Sequence, residues 1–330
     1  MISLDFTSLL NTIATLFFML VVGYVAGKLG IISSVASKNL SKLIITIGQP
    51  ALIIYSLVKM EYSAEKLGLG FQSLLFGIVL HIFLAVVSYF AFIRFRSVDE
   101  RKLTEFAAIF GNVGFIGFPI LDSVFGDTGV FMGAFFVVSF NLVLWTWGIA
   151  ILARKRDDIK LTPKKVLLNY GTVPSAIGIF IFLMKGLLSK ILPEAVMGGI
   201  SYVAPSVLMC LSYISSLCTP ISMLIIGALL ASRDLRQILG SGKVYYLCAI
   251  KLFVLPLLVC SIMKLLGFSA SWMQFAVVVT SMPSATTVTM LAELHDISPS
   301  YSAQTVGTTS LLSIVSMPCV IWIAQKIIEL

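Results

Sequence analysis

Two short stretches of this chain carry polar and helix-breaking residues inside apolar surroundings. Residues 110–119 read FGNVGFIGFP, so that Gly111, Gly114, Gly117 and Pro119 crowd around Asn112. Residues 280–290 read TSMPSATTVTM, with Pro283 beside Ser284, Thr286 and Thr287. In a helix interior glycine costs about 1 kcal/mol and proline about 3 kcal/mol relative to alanine. Such a cluster predicts an interrupted helix; packing of small residues against a neighbour accounts for one or two of the glycines and less well for the whole set. A half-helix that begins at an interruption aims N–H groups and the positive end of its dipole at whatever faces it. Two of them facing one cavity favour a carboxylate. Asn112 adds an amide donor, and Ser284, Thr286 and Thr287 add hydroxyls, although such hydroxyls also bond back to the preceding turn. No acidic residue lies between Glu105 and Asp122, or between Pro283 and Glu293. The chemistry that suits this pattern is binding of a small organic anion through Gly111, Asn112, Pro283, Ser284, Thr286 and Thr287.

Lys251 and His81 are ionisable residues inside apolar runs. A charge at the centre of a bilayer costs about 2.5–3.5 kcal/mol on insertion scales. Lys251 stands about two helical turns from the end of its run. Snorkelling of its ammonium to the nearer interface is the plainer reading, and attraction of anions into the cavity is the alternative. His81, near the middle of its run, reads as a hydrogen-bonded packing residue, with a proton relay as the alternative. Asp122 and Asp127 read as a solvated turn. Five cysteines (Cys210, Cys218, Cys248, Cys260, Cys319) form no CxxC pair and read as small buried hydrophobes. His81 and His295 are the two histidines and lie 214 residues apart, which leaves no HExxH zinc motif for an intramembrane protease. No catalysis, metal or cofactor is expected.

The elements that must hold these residues are membrane spans. Of 330 residues, 58% are hydrophobic and 12% charged, with mean hydropathy +1.03; a soluble domain has about 25% charged residues. Apolar runs punctuated by charge predict ten helices, at 6–27, 36–58, 71–93, 103–124, 128–153, 166–188, 203–231, 244–266, 271–292 and 302–327. Each is long enough for a ~30 Å hydrocarbon core, and little chain is left for a soluble domain. The run 203–231 is long enough to include a surface or tilted portion. Asp5 and the absence of a basic leader predict no cleaved signal peptide. Of the 23 Lys and Arg, sixteen fall in the odd-numbered connections and six in the even connections and termini, with Lys251 the remaining one. The net charge of +8 is thus a topology signal rather than a nucleic-acid footprint. Positive connections stay in the cytoplasm, so both termini face outside, as an even number of spans requires.

Five spans per half place the two halves in opposite orientations, the arrangement of inverted-repeat transporters. Pro50 in TIGQPALIIYSL and Pro220 in SLCTPISMLIIGALL are 170 residues apart; Gly111-Asn112 and Pro283-Ser284 are 172 apart. The expected fold is an all-α polytopic membrane protein of ten helices. It divides into a first five-helix repeat (1–153), a short basic cytoplasmic connection (154–165) and a second repeat (166–330), with helices 4 and 9 broken.

The segments SKLIITIGQPALIIYSL, GNVGFIGFPIL and the stretch around Pro283 resemble the auxin efflux carrier family. That family includes plant PIN auxin carriers and bacterial malate and malonate permeases, and the resemblance covers nearly the whole chain. It implies an architecture related to bile-acid sodium symporters. There, helices 36–58 and 203–231, with 6–27 and 166–188, form a scaffold that dimerises. Residues 71–153 and 244–327 form a moving domain in which helices 4 and 9 cross at their breaks. Asn112 matches the asparagine of the first crossover in plant carriers, and Pro283 the proline of the second. Asn141, four residues before Trp145, matches a fifth-helix glutamine near the substrate; asparagine shortens its reach. Gly111 stands where plant carriers have proline, so the break rests there on glycine flexibility. The plant carriers' large cytoplasmic loop is reduced here to 154–165.

The resemblance implies a secondary transporter, of elevator type, for a small organic anion such as an auxin-like acid or a dicarboxylate. It would sit in the cytoplasmic membrane, surrounded by lipid, as a homodimer. A sodium-coupled symporter of the bile-acid type is the alternative, but sodium sites want oxygen ligands and usually a carboxylate, which neither break supplies. A ligand sensor on a transporter fold would want a soluble output domain. Contacts between moving domain and scaffold are expected to be sparse and apolar. The charge count makes one direct prediction: a cysteine at Lys160 should be labelled by an impermeant maleimide only from the cytoplasm and one at Asp127 only from outside. Swapped accessibility would reverse the orientation.

Overall fold

The computed structural model describes residues 6–156, 168, 172–191, 194–231 and 241–330. Among them the regular elements are helical: α1 (Phe6–Lys28), α2 (Ser34–Leu43), α3 (Gln49–Val58), α4 (Ala64–Ala91), α5 (Val98–Ile109), α6 (Phe118–Val143), α7 (Ile149–Ala153), α8 (Thr172–Ile191), α9 (Glu194–Ser216), α10 (Cys218–Ala231), α11 (Gly242–Ala249), α12 (Leu255–Leu265), α13 (Ala270–Ser281), α14 (Thr287–Leu294) and α15 (Pro299–Glu329). The basic connection beyond Arg156, including Lys160, Lys164 and Lys165, lies outside the described residues, as do Arg233, Arg236 and much of the start of the expected 166–188 helix.

Seven helical stretches among the described residues are long and apolar enough to cross a membrane. The expected ten differ from these for physical reasons. The 103–124 and 271–292 runs are divided by their breaks into pieces too short to span. The 128–153 run continues from the end of its predecessor within α6, bent where Gly126 takes φ 59°, a backbone conformation that glycine enters without penalty. Thr172–Leu187 is apolar but shorter. The run 203–231 is not one helix. It is the end of α9 followed by α10, with a turn at Leu217 between them.

Among the described residues four five-residue π turns widen the helices, at Ile44–Gly48, Val113–Gly117, Leu144–Gly148 and Ile250–Val254. Three of them end two residues before a proline, namely Pro50, Pro119 and Pro256. Proline has no N–H to give the carbonyl four residues back. The π turn absorbs the vacancy by lengthening its bonds to five residues, as where the Gln49 N–H donates to the Ile44 carbonyl and the Leu255 N–H to the Ile250 carbonyl. Serines start the polar-ended helices. Ser63 and Ser97 accept from the N–H groups of Lys66 and Glu100, and Glu65 or Asp99 sits in the first turn, satisfying donors that a helix leaves open.

Packing follows small residues. A Cβ on Gly23 would fall 2.4 Å from the Leu224 carbonyl oxygen, and one on Gly227 would fall 2.1 Å from the Leu20 carbonyl oxygen. Backbone thus meets backbone where α1 lies along α10. In the same way α8 lies on α3, where a Cβ on Gly178 would meet Leu57 at 2.7 Å. Elsewhere α4 packs on α6, and α15 is flanked by α12 and α13.

Charged side chains knit one end of the helices. Glu105, 1% exposed, accepts from Arg101 Nε at 2.7 Å and from Arg154 Nη1 at 2.5 Å. The Tyr89 ring lies 4.8 Å and 5.7 Å from those two guanidiniums. Lys243 pairs with Glu100 at 2.5 Å, and Arg156 donates to the His295 carbonyl at 2.8 Å. These bonds join α5 to the end of α7 and to the start of α11, and the segment after α7 to the segment after α14. At the other end, Lys59 after α3 pairs with Asp127 beside Gly126 at 2.5 Å. That pair corrects the expectation of purely apolar contacts between the scaffold set and the remaining helices. It also gives Asp127 a partner in a turn that is exposed, as expected.

Around Gly227 the nearest atoms are all backbone, which cannot swing aside. Gly227→Val should therefore destabilise the protein by at least about 2 kcal/mol, at the upper end for overpacking. Thermal unfolding in detergent measures this; an unchanged midpoint would show that the helices separate freely.

Candidate functional site

Two helices stop at the centre of the structure. After α5, Phe110 is extended (φ −95°, ψ 108°); after α13, Met282 is extended (φ −61°, ψ 145°). Between them Gly111 and Ser284 form an isolated antiparallel bridge. The Asn112 N–H donates to the Pro283 carbonyl at 2.8 Å, and the Ala285 N–H donates to the Phe110 carbonyl at 2.9 Å. The two breaks therefore cross and satisfy each other. Ser284 locks the crossing to its neighbours: its N–H donates to Thr309 Oγ1 of α15 at 3.2 Å, and its hydroxyl donates to the Ala107 carbonyl of α5 at 3.0 Å. Asn112 opens the second half of the first broken helix, its carbonyl accepting from Ile116 at 3.2 Å and Gly117 at 3.0 Å.

The glycines of the first break are places of close approach. A Cβ on Gly111 would stand 3.3 Å from the Val279 carbonyl oxygen and 3.6 Å from Lys251 Nζ. On Gly114 it would stand 2.4 Å from Gln49 Nε2, and on Gly117 2.8 Å from the end of Met282. Glycine spacing thus does two jobs: it lets the chain break, and it brings Lys251 and Gln49 up to the bare backbone.

Lys251 is 1% exposed. It sits in the π turn Ile250–Val254 that Pro256 imposes, and its amine makes no hydrogen bond or ion pair among the described residues. The snorkelling reading is therefore overturned. The side chain folds inward against Gly111 rather than out along the helix. An ammonium buried without a counter-charge is unfavourable by several kcal/mol, and an incoming carboxylate would relieve it with charge-assisted hydrogen bonds.

His81 is 2% exposed. Its Nδ1 donates to the Gly77 carbonyl at 2.6 Å, and the rings of Phe136, Phe110 and Phe140 surround it at 5.2, 5.7 and 5.8 Å. By its contacts it is packed as an aromatic ring.

The structure gathers Gly111, Asn112, Pro283, Ser284 and Lys251 at one point. Thr286 and Thr287, half-buried, lie just beyond, where α14 begins. Asn141, half-buried, donates from Nδ2 to the Val137 carbonyl of its own helix at 2.9 Å, and the adjacent Phe140 ring packs 5.4 Å from Phe110. Gln49 is the neighbour that the sequence reading missed. The echo of IGQP (47–50) in IGFP (116–119) was the available signal, since both mark a widened turn ahead of a proline. Among the described residues no group of three His, Cys, Asp or Glu could hold a metal ion.

Residues 8–321 match a protein family described as "Membrane transport protein". A relative from Methanothermobacter thermautotrophicus, named "Uncharacterized transporter", is 24% identical over 314 residues, covering 93% of this chain and 96% of the relative. One from Rhizobium meliloti, named "Putative malonate transporter", is 23% identical over 312 residues, covering 94% of each.

Removal of the donors at the crossing is the direct test of the site. Lys251→Gln and Asn112→Ala should each weaken binding of a small carboxylate roughly ten-fold or more, the value of a hydrogen bond to a charged group, without loss of monodisperse protein. Calorimetry in detergent reads this; unchanged affinity in both variants would move the site elsewhere.

Proposed function

The chain belongs to the membrane transport protein family, and from that premise we propose that it is a secondary carrier for a small organic anion. The observation that carries the reading is Lys251, a buried amine without a partner among the described residues, set against the backbone where two broken helices cross. Asn112 and the start of α14 at Thr286 and Thr287 add donors, and Gly111, Pro283 and Ser284 shape the backbone. A carboxylate is the ligand such a set stabilises best. In this reading His81 shields the crossing as an aromatic packing residue, and Asn141, beside the Phe140 that packs on Phe110, adds a further amide. The malonate named for the Rhizobium relative is of the same chemical class.

The mechanism we propose is alternating access by a rigid body. Ten spans, as two five-helix repeats of opposite orientation, would place α3 and α10 at equivalent positions, and likewise α1 and α8. The partnerships of α1 with α10 and of α3 with α8 are those that such a symmetry exchanges. The two breaks, which pair with each other, are likewise exchanged. The α1–α10 and α3–α8 group would be the fixed scaffold, by which two copies associate. The helices joined by Glu105, Arg154, Lys243 and Arg156 would travel together, because those bonds tie α5 to α7 and α11, and the segment after α7 to the one after α14. The membrane would be the cytoplasmic one, with both termini outside.

Uptake of radiolabelled carboxylates into proteoliposomes, with and without proton and sodium gradients, tests the function and separates the anion carrier from a sodium-coupled symporter. No flux for any carboxylate would overturn it. A disulfide between α3 and α10 should leave transport at its normal rate, whereas one from either helix to α5 or α13 should stop it. Normal flux through the second variant would sink the moving-body mechanism.

A further inference from the structure

Gln49 begins α3, directly after the π turn Ile44–Gly48 and before Pro50. It is half-buried, and its carboxamide makes no hydrogen bond among the described residues. Its Nε2 occupies the notch left by the missing side chain of Gly114, 2.4 Å from where a Cβ would stand. Lys251 Nζ approaches the same break at Gly111, 3.6 Å from the corresponding position. Gly111 and Gly114 are three residues apart, no more than about 11 Å along the backbone. One break therefore meets two polar side chains from two different helices, each at a glycine.

The two anchors differ in chemistry. A lysine amine selects for negative charge. A carboxamide offers two N–H donors and one acceptor, and recognises a polar group with no demand for full charge. We infer that Gln49 determines specificity by binding the second polar group of a short bifunctional acid whose first carboxylate is held at Lys251. This rests on the anion-carrier reading above. A monocarboxylate of the same length would satisfy Lys251 and leave the amide of Gln49 facing an alkyl end. Sites built to hydrogen-bond a substrate group discriminate strongly against analogues that lack it, because the site's own polar group is left unpaired. Gln49 would then set the preference for dicarboxylates over monocarboxylates, and Lys251 the preference for acids over neutral molecules.

Two variants remove the amide from the break by independent routes. Gln49→Leu deletes it at similar size. Gly114→Ala fills the notch, and because the atom in the way is the tip of a flexible side chain, the glutamine swings out and the fold is kept. Uptake of radiolabelled malonate into proteoliposomes, with propionate as competitor, reads the result. The unaltered protein should prefer malonate at least roughly ten-fold, the value of one hydrogen bond to a charged group. Both variants should reduce that preference to about two-fold or less, through weaker malonate binding at unchanged propionate inhibition, and Gln49→Asn should restore part of it. Lys251→Gln should weaken both acids together.

The outcomes separate the two readings. If Gln49→Leu and Gly114→Ala keep the malonate preference, or weaken both acids equally, while Lys251→Gln weakens both, Gln49 has no selective role and the anion carrier stands. If Lys251→Gln changes neither acid, or the unaltered protein carries neither, the anion-carrier reading falls and this inference with it.

Discussion

Inside a bilayer a backbone N–H or C=O without a partner costs several kcal/mol, and that constraint governs this structure. Two helices are interrupted at depth, and the interruption is affordable because each break completes the other. Asn112 donates to Pro283, and Ala285 donates to Phe110. Ser284 then fastens the crossing to α5 and α15 with one bond each. Neither break would be stable alone. With the backbone so satisfied, Lys251 and Gln49 stand against it with no hydrogen bond of their own among the described residues.

Glycine and proline set what those side chains are. The glycines of the first break leave its backbone bare, so that Lys251 and Gln49 come against it where other residues would hold them off. The prolines act one helix away. Pro50 and Pro256 each force a π turn, which adds a residue and so shifts the helix face by about 100°. Gln49 and Lys251 lie at or within those turns. The same two residue types, set into four different segments, thus shape both the opening and the groups that face it.

Much of this was legible from the chain. The charge-punctuated runs located the helices, and the 172-residue offset paired Gly111-Asn112 with Pro283-Ser284, the residues that the crossing joins. Lys251 was not legible, because depth along a helix says how far a side chain is from the interface and nothing about which way it points. A π turn changes the direction without changing the depth. The run 203–231 hid its turn at Leu217 for a similar reason, since uniform apolarity carries no phase. Glu105 follows Arg101 at the helical spacing of four residues, but its second partner, Arg154, comes from a distant segment that no local pattern identifies.

The crossing also has a consequence for how the protein is made. The bonded partners Asn112 and Pro283 are 171 residues apart in the chain, and Phe110 and Ala285 are 175 apart. At synthesis rates of 5–20 residues per second, roughly 10–30 s pass between the emergence of the first break and that of the second. Throughout that interval Phe110 and Asn112 lack the backbone groups that later satisfy them. The first half must therefore wait with its break in contact with water or with the insertion machinery, and cannot be released fully into lipid. Biogenesis of this fold is committed only when the ninth expected span arrives, so a chain truncated anywhere before Pro283 carries an unfinished membrane core, however many complete helices it contains.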